Sequence, residues 1–320
     1  MAYYDTYRDQ LASLYHGHAL WVPDPAGLYD HVRVGDVGYV KQGHFNRMFN
    51  ALLLANDPTQ VYGVPEGFVP LNMGPFNNIR TLTLNHGDYC STAVTVDRED
   101  MHQAAGPEET TSASFRCKRN KGAKGAFLSL PFNADSVDAI RTKAFETYIR
   151  KHCDSWLEFA IINDLDVRLE DIILVTGCDL TSSWAMATIV NSWDPIKLNV
   201  QPSQAGSARF QWDVTNQPHN NEPNQNIVKS QCVFIRGFRA KRILVFKTLK
   251  AAAGPRPDDP DNEPESSIEL FREPTIPDYR DPLMGILDYI AEQRPNQELA
   301  LAHEDDLKMI EGVVRTNAVS

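Results

Sequence analysis

Alternation of apolar and polar residues with a period of two recurs along this chain and constrains its fold more than any other feature. Ala113, Phe115 and Cys117 alternate with Ser114, Arg116 and Lys118, and Phe127 to Phe132 runs back after a turn rich in Lys, Gly and Asn. Ala208, Phe210, Trp212 and Val214 alternate with Arg209, Gln211 and Asp213. Side chains of a strand point alternately to its two faces, so each segment reads as a strand with one buried face. The first predicts a hairpin over 113–132. The same period suits a half-buried sheet and a strand with one lipid face, so it leaves the choice open.

Further strands are expected at 79–84, 91–96 and 183–190, at Gln231 to Phe238 and at Arg242 to Phe246. Val32 to Leu54 reads as a hairpin turning at Lys41-Gln42-Gly43, with a helix from Asn46 to Ala55 as the alternative. Ile172 to Val175 is a continuous apolar run, the mark of a strand buried on both faces. Helical spacing appears in three places. Tyr7, Leu11 and Leu14 give a short first helix, and Ile140, Phe145, Tyr148, Ile149, Trp156 and Phe159 give helical structure over 135–163. Asp281-Pro282 supplies an N-cap and a proline at the first helical position, continued by Leu283, Ile286, Leu287 and Ile290. A last short helix is expected over 305–314. Residues 55–78 and 215–228 read as loops, and Pro and Asp mark 251–265 as a linker.

The expected fold is therefore α+β, a mainly antiparallel, twisted β-sheet with a central helical pair. Residues 1–250 form its body. Residues 251–320 form an acidic, Pro-rich extended segment ending in one or two short helices that pack on the body.

Charge supports that division. The chain has 31 Lys and Arg against 42 Asp and Glu, a net −11 over 320 residues. Residues 251–320 hold 16 of the acids and 6 of the bases, so almost all the excess sits there. Two windows of the body lack acids altogether. Thr110 to Ala134 carries Arg116, Lys118, Arg119, Lys121 and Lys124, and Pro223 to Pro257 carries Arg236, Arg239, Lys241 and Arg242 among its bases. Such clusters attract an acidic lipid surface or the protein's own acidic C-terminal segment. No RNA-binding pattern accompanies them, which argues against nucleic acid.

Catalytic and cofactor signatures are missing. Val34-Gly35-Asp36-Val37-Gly38 is not a dinucleotide fingerprint, and neither a phosphate loop nor a nucleophile elbow occurs. No cofactor and no metal is expected; His16, His18, His31 and His86 read as surface or capping residues. Val175-Thr176-Gly177-Cys178 reads as a strand end with a glycine turn, where an enzyme of unrecognised type would have its site. The five cysteines are scattered without a CxxC pair, and no glycosylation sequon occurs. Reduced thiols then lead to the expectation of a cytoplasmic protein.

Two resemblances add to this. Ala19-Leu20-Trp21-Val22-Pro23-Asp24-Pro25, Gly35-Asp36-Val37-Gly38-Tyr39-Val40, Asp154-Ser155-Trp156, Val175-Thr176-Gly177, Ser183-Trp184-Ala185 and Val233-Phe234-Ile235-Arg236-Gly237-Phe238 resemble a family of proteins from mushroom-forming (basidiomycete) fungi, which brings no activity with it. The order of helical region, Ile173-Leu174-Val175-Thr176, long amphipathic hairpin and Phe234-Ile235-Arg236-Gly237-Phe238 is similar to the pore-forming domain of gasdermins. That resemblance implies that 113–132 and 180–214 insert into a membrane and that Arg116, Lys118, Arg119, Lys121 and Lys124 touch acidic lipid. It implies homo-oligomers on the membrane, with the acidic segment as restraint, acting in cell death or defence. Here the N-terminal helix has Arg8 as its only base, and the C-terminal segment is short for an inhibitory domain. The competing expectation is a non-enzymatic protein-interaction or structural module.

Overall fold

The apolar run Ile172 to Val175 lies at the centre of the largest sheet, with an apolar layer on each side. The computed structural model describes residues 2–25, 31–74, 78–103, 110–119, 124–130, 132–189, 196–200, 210–214, 229–243 and 281–309. Of 96–103, 110–119, 196–200 and 210–214 only the strand pairing is described. Lys121, the loop 215–228 and the linker 251–265 lie outside the described residues; of the last short helix expected over 305–314, residues 306–309 are helical and 310–314 lie outside the described residues.

Helix α1 (Tyr3–Leu11) precedes β1 (His18–Ala19), β2 (Asp36–Lys41), β3 (His44–Asn50) and β4 (Ile79–Leu84). Then come β5 (Gly87–Cys90), β6 (Val94–Gln103), β7 (Thr110–Arg119), β8 (Gly125–Leu130) and β9 (Ala134–Ala139), leading to α2 (Lys143–Ile162). After it follow β10 (Ile172–Thr181), β11 (Ser183–Ile189), β12 (Ile196–Val200), β13 (Phe210–Val214) and β14 (Gln231–Arg242). Helix α3 (Pro282–Gln293) and β15 (Leu299–His303) complete the described elements. The fold is α+β, and every ladder between these strands is antiparallel.

Strand β10 pairs with β14 along one edge and with β2 and then β9 along the other. On one face Ile172 and Leu174 join Phe145, Ile149, Trp156 and Phe159 of α2. On the other, Ile173 and Val175 meet Leu20, Phe45 and Ile235. Both faces being covered explains why this strand has no polar alternation. Fully burying one such side chain stabilises the fold by about 1.5–3 kcal/mol. The β2–β3 hairpin turns at Gln42 and Gly43, with φ of 54° and 81°. Two successive positive φ values match the right-handed twist of the flanking strands. Asn46 to Asn50 is therefore strand, not helix.

Several sequence expectations are corrected. Strands β7 and β8 occupy 113–132 but do not pair with each other. β7 joins β6 and β12 in a three-stranded sheet, and β8 joins β5 and β11 in a four-stranded sheet that ends in β13. Residues 135–163 hold strand β9 and then α2, so among the described residues the central helical pair is one helix. Gln231 to Arg242 is one continuous strand where two were expected; 244–246 lie outside the described residues. Residues 299–303, expected to belong to an acidic extended segment, form β15 on the open edge of β14.

Candidate functional site

The charged seam where the C-terminal segment meets the body concentrates the buried polar chemistry of the described residues. Pairing of β14 with β15 brings Arg239 opposite Ala302 and Lys241 opposite Ala300. Arg239 Nη1 then donates to Asp281 Oδ2 at 2.8 Å, and its Nη2 lies 3.6 Å from Glu304 Oε1. Nη2 also donates to His18 Nδ1 at 2.9 Å. Lys241 pairs with Asp288 of α3, and Arg242 pairs with Asp154 of α2. Asp281 is at the same time the N-cap of α3, its Oδ1 accepting from the Leu283 N–H at 3.0 Å.

Arg236, two positions along from Phe238, makes the second cluster. Its Nε donates to Asp138 Oδ1 at 2.6 Å and its Nη2 to Asp179 Oδ1 at 3.0 Å. Nη1 donates to the carbonyl of His16 at 2.7 Å. Burial works against this charge, but the Asp179 and Asp138 carboxylates outweigh it and hold its pKa above the ordinary value. A side chain at Gly177 would end 2.0 Å from Asp138 Oδ1 and 2.8 Å from Arg236 Nε, so glycine is what leaves room for the pair.

Beside Arg236 is a half-open polar cavity of about 310 Å³. Arg80, Ser136 and Asp138 line one side; Thr176 lines the floor, and His303, Asp305 and Lys308 come from the C-terminal segment. The strand-end turn expected at Val175 to Cys178 is instead a bulge in mid-strand, where Thr176 stands between the Val175–Gly237 and Gly177–Arg236 pairings. A bulge re-aims one side chain, here toward the cavity. Thr176 Oγ1 lies 2.7 Å from His303 Nε2 and 3.3 Å from the carbonyl of Arg236.

His303 Nδ1 faces both the Asp305 N–H at 3.1 Å and the Asp305 carboxylate at 3.3 Å. Nε2, on the other side of the ring, faces the Thr176 hydroxyl. Thr176 in turn donates to Arg236 O. The Thr176–His303–Asp305 array ties the C-terminal segment to β10. His303 and Lys308 hold the Asp305 carboxyl below the usual carboxylate range.

The sequence-predicted basic residues fall into three groups. Arg236 and Arg239 are buried ion-pair members, 8% and 4% exposed, rather than parts of a surface. Lys241 and Arg242 reach solvent but have carboxylate partners. Arg116, Lys118 and Arg119 belong to β7, registered opposite Asp97, Thr95 and Val94, while Lys124 is exposed just before β8. His18, read as a surface or capping residue, is buried against Arg239. Asp138, Asp179, His303 and Glu304 carried no signal in the sequence, because their partners lie far away along the chain, whereas Thr176 stood out only as part of Val175 to Cys178. Among the described residues no three His, Cys, Asp or Glu are grouped to hold a metal ion, and no helix is long and apolar enough to cross a membrane.

Comparison with protein-family models, with curated proteins and with solved structures finds no match for this chain.

Proposed function

We propose that this chain is a membrane-directed protein of gasdermin-like design, held in a restrained form by its C-terminal segment. One observation carries the reading. The segments on either side of α2 that would insert pair with each other outside the eight-stranded sheet, β8 with β11 and β7 with β12. β6 and β7 are each 10 residues long, and a membrane-spanning strand needs about 9–11 residues. Strands in a bilayer leave no edge unpaired, so insertion would require several copies to close a barrel.

In this reading Arg116, Lys118, Arg119, Lys121 and Lys124 supply the attraction to acidic lipid. Asp281, Asp288 and Glu304 occupy Arg239 and Lys241 and keep the segment seated. A role in cell death or defence follows from the same resemblance. The test uses the full chain with a protease site inserted within 251–265, incubated with dye-filled vesicles of acidic lipid. Leakage is expected after cleavage and not before, and it should fall when Arg116, Lys118, Arg119 and Lys124 are changed to Glu. High salt should weaken vesicle binding, since exposed charges are screened over about 10 Å at 0.1 M. Cleaved protein that stays folded, sheds its C-terminal segment and releases no dye would overturn the proposal.

A further inference from the structure

Helix α1 lies directly on two of the strands that the membrane reading would have insert. Tyr7 and Leu11, each 0% exposed, pack with Ala126, Leu128 and Leu130 of β8 and with Trp184 and Met186 of β11. The same helix carries Arg8 and Asp9, joined at 2.9 Å, and Asp9 borders the C-terminal helix α3 across a shared groove. Arg8 interacts electrostatically with both Asp281 and Glu304. A groove between this end of the chain and α3 is lined by Asp9, Ala12 and Ser13 on one side and Pro282, Gly285 and Ile286 on the other.

The buried polar and charged groups thus come from four separate parts of the chain: α1, His18 of β1, Arg239 of β14, and Asp281 with Glu304 of the C-terminal segment. The cluster is incompletely satisfied, since Arg8 Nη2, Asp9 Oδ2 and Arg239 Nε are buried without a hydrogen-bond partner. Buried cations depend strongly on the carboxylates they retain, and losing one partner costs far more than it would at a surface. Asp281 is the carboxylate that Arg239 touches most closely and that Arg8 also senses.

We propose that α1 is a second cover over β8 and β11, held down through Asp281, so that departure of the C-terminal segment also releases the N-terminal helix. The inference rests on the membrane reading for its purpose, but the linkage itself is a property of the folded chain. Linkage is reciprocal: if the segment holds α1, then α1 holds the segment.

Amide hydrogen exchange on the full chain tests both directions without any membrane. Asn replaces Asp well as an N-cap, so Asp281→Asn removes the charge and keeps the cap of α3. It should raise exchange across residues 3–11 at least tenfold. Asp288→Asn, which frees Lys241 and leaves the cluster alone, should raise exchange only in α3 and β15. Arg8→Met should raise exchange in α3 and β15 as well as in α1. Unchanged protection of 3–11 in Asp281→Asn, or of α3 and β15 in Arg8→Met, would overturn the linkage. Leakage after cleavage with no such coupling would leave the membrane reading standing and remove only this inference. Coupling with no leakage would do the opposite.

Discussion

Arg236 Nη2 and Asp179 Oδ1 meet 3.0 Å apart inside the largest sheet, and Asp179 has none of its side chain exposed. Asp179 is a buried carboxylate whose counter-charge arrives from the neighbouring strand. Arg236→Met would leave it uncompensated, and breaking such a pair from one side costs about 3–5 kcal/mol. Adding Asp179→Asn removes the stranded charge and should recover part of that loss. Urea unfolding at pH 7 measures both. A double variant no more stable than Arg236→Met alone would show that the pair's charge is not what matters.

Two glycines should respond to alanine with opposite signs. At Gly177 the new methyl would press on Asp138 Oδ1 and Arg236 Nε, and overpacking of this kind costs about 1–3 kcal/mol. At Gly285, inside α3, nothing lies within 4 Å of the added carbon. Alanine there gains helix propensity of about 0.8–1 kcal/mol. Thermal melts of the two variants should move to either side of the parent, and a stable Gly177→Ala protein would remove the argument for a tightly fitted ion pair.

Leu11 tests how firmly α1 sits on β8 and β11. It is 0% exposed in the cluster with Leu128 and Trp184. Leu11→Ala should cost about 2–5 kcal/mol if the surrounding strands hold their shape. Denaturant unfolding checks this. A loss below about 1 kcal/mol would mean that the helix contributes little to holding those strands.

Elements whose reasons are local were legible in the sequence. Asp281-Pro282 announces a helix start through its own side chain and ring, and Gln42-Gly43 announces a turn through its backbone freedom. Ile172 to Val175 announces a two-sided burial that α2 and Leu20, Phe45 and Ile235 supply. What was lost was partner choice. The period of two identified β7 and β8 as strands, but it says nothing about which edge each will meet. Their partners β12 and β11 lie beyond α2. β15 escaped because five residues, Leu299 to His303, are too few for periodicity to stand out beside acidic neighbours.

The site suffered most. A basic residue in a sequence does not declare whether it is buried, and Arg236 and Arg239 find their carboxylates 98 and 42 residues away at Asp138 and Asp281. The attraction between the second basic window and the acidic segment is visible in composition. That Asp281, Asp288 and Glu304 are the acids that meet it follows only from the pairing of β14 with β15.

Glu304 gives the seam a pH dependence of definite sign. Burial pushes its carboxyl up to about 8, overcoming the opposing pull of Arg239 and Arg8, with Asp281 and Asp305 adding to the rise. Between the ordinary value near 4.5 and that raised value, the folded chain holds a proton that the unfolded chain has lost. The folded state then binds more protons, so stability is fully present below the lower limit and declines as pH rises toward about 8. The other members of the cluster act elsewhere. Burial lowers His18 to about 4, so its effect ends above 6.5, and burial raises Asp9 to about 6, so its effect ends there. Asp281 is held well below the carboxylate range and stays ionised throughout. From pH 6.5 to 8 the parent should therefore lose on the order of 2 kcal/mol, at about 1.4 kcal/mol per pH unit for one proton. Glu304→Gln keeps the shape without the titration and should be flat across that interval. Urea midpoints at the two pH values measure the difference, and an equal decline in the variant would assign the slope to some other group.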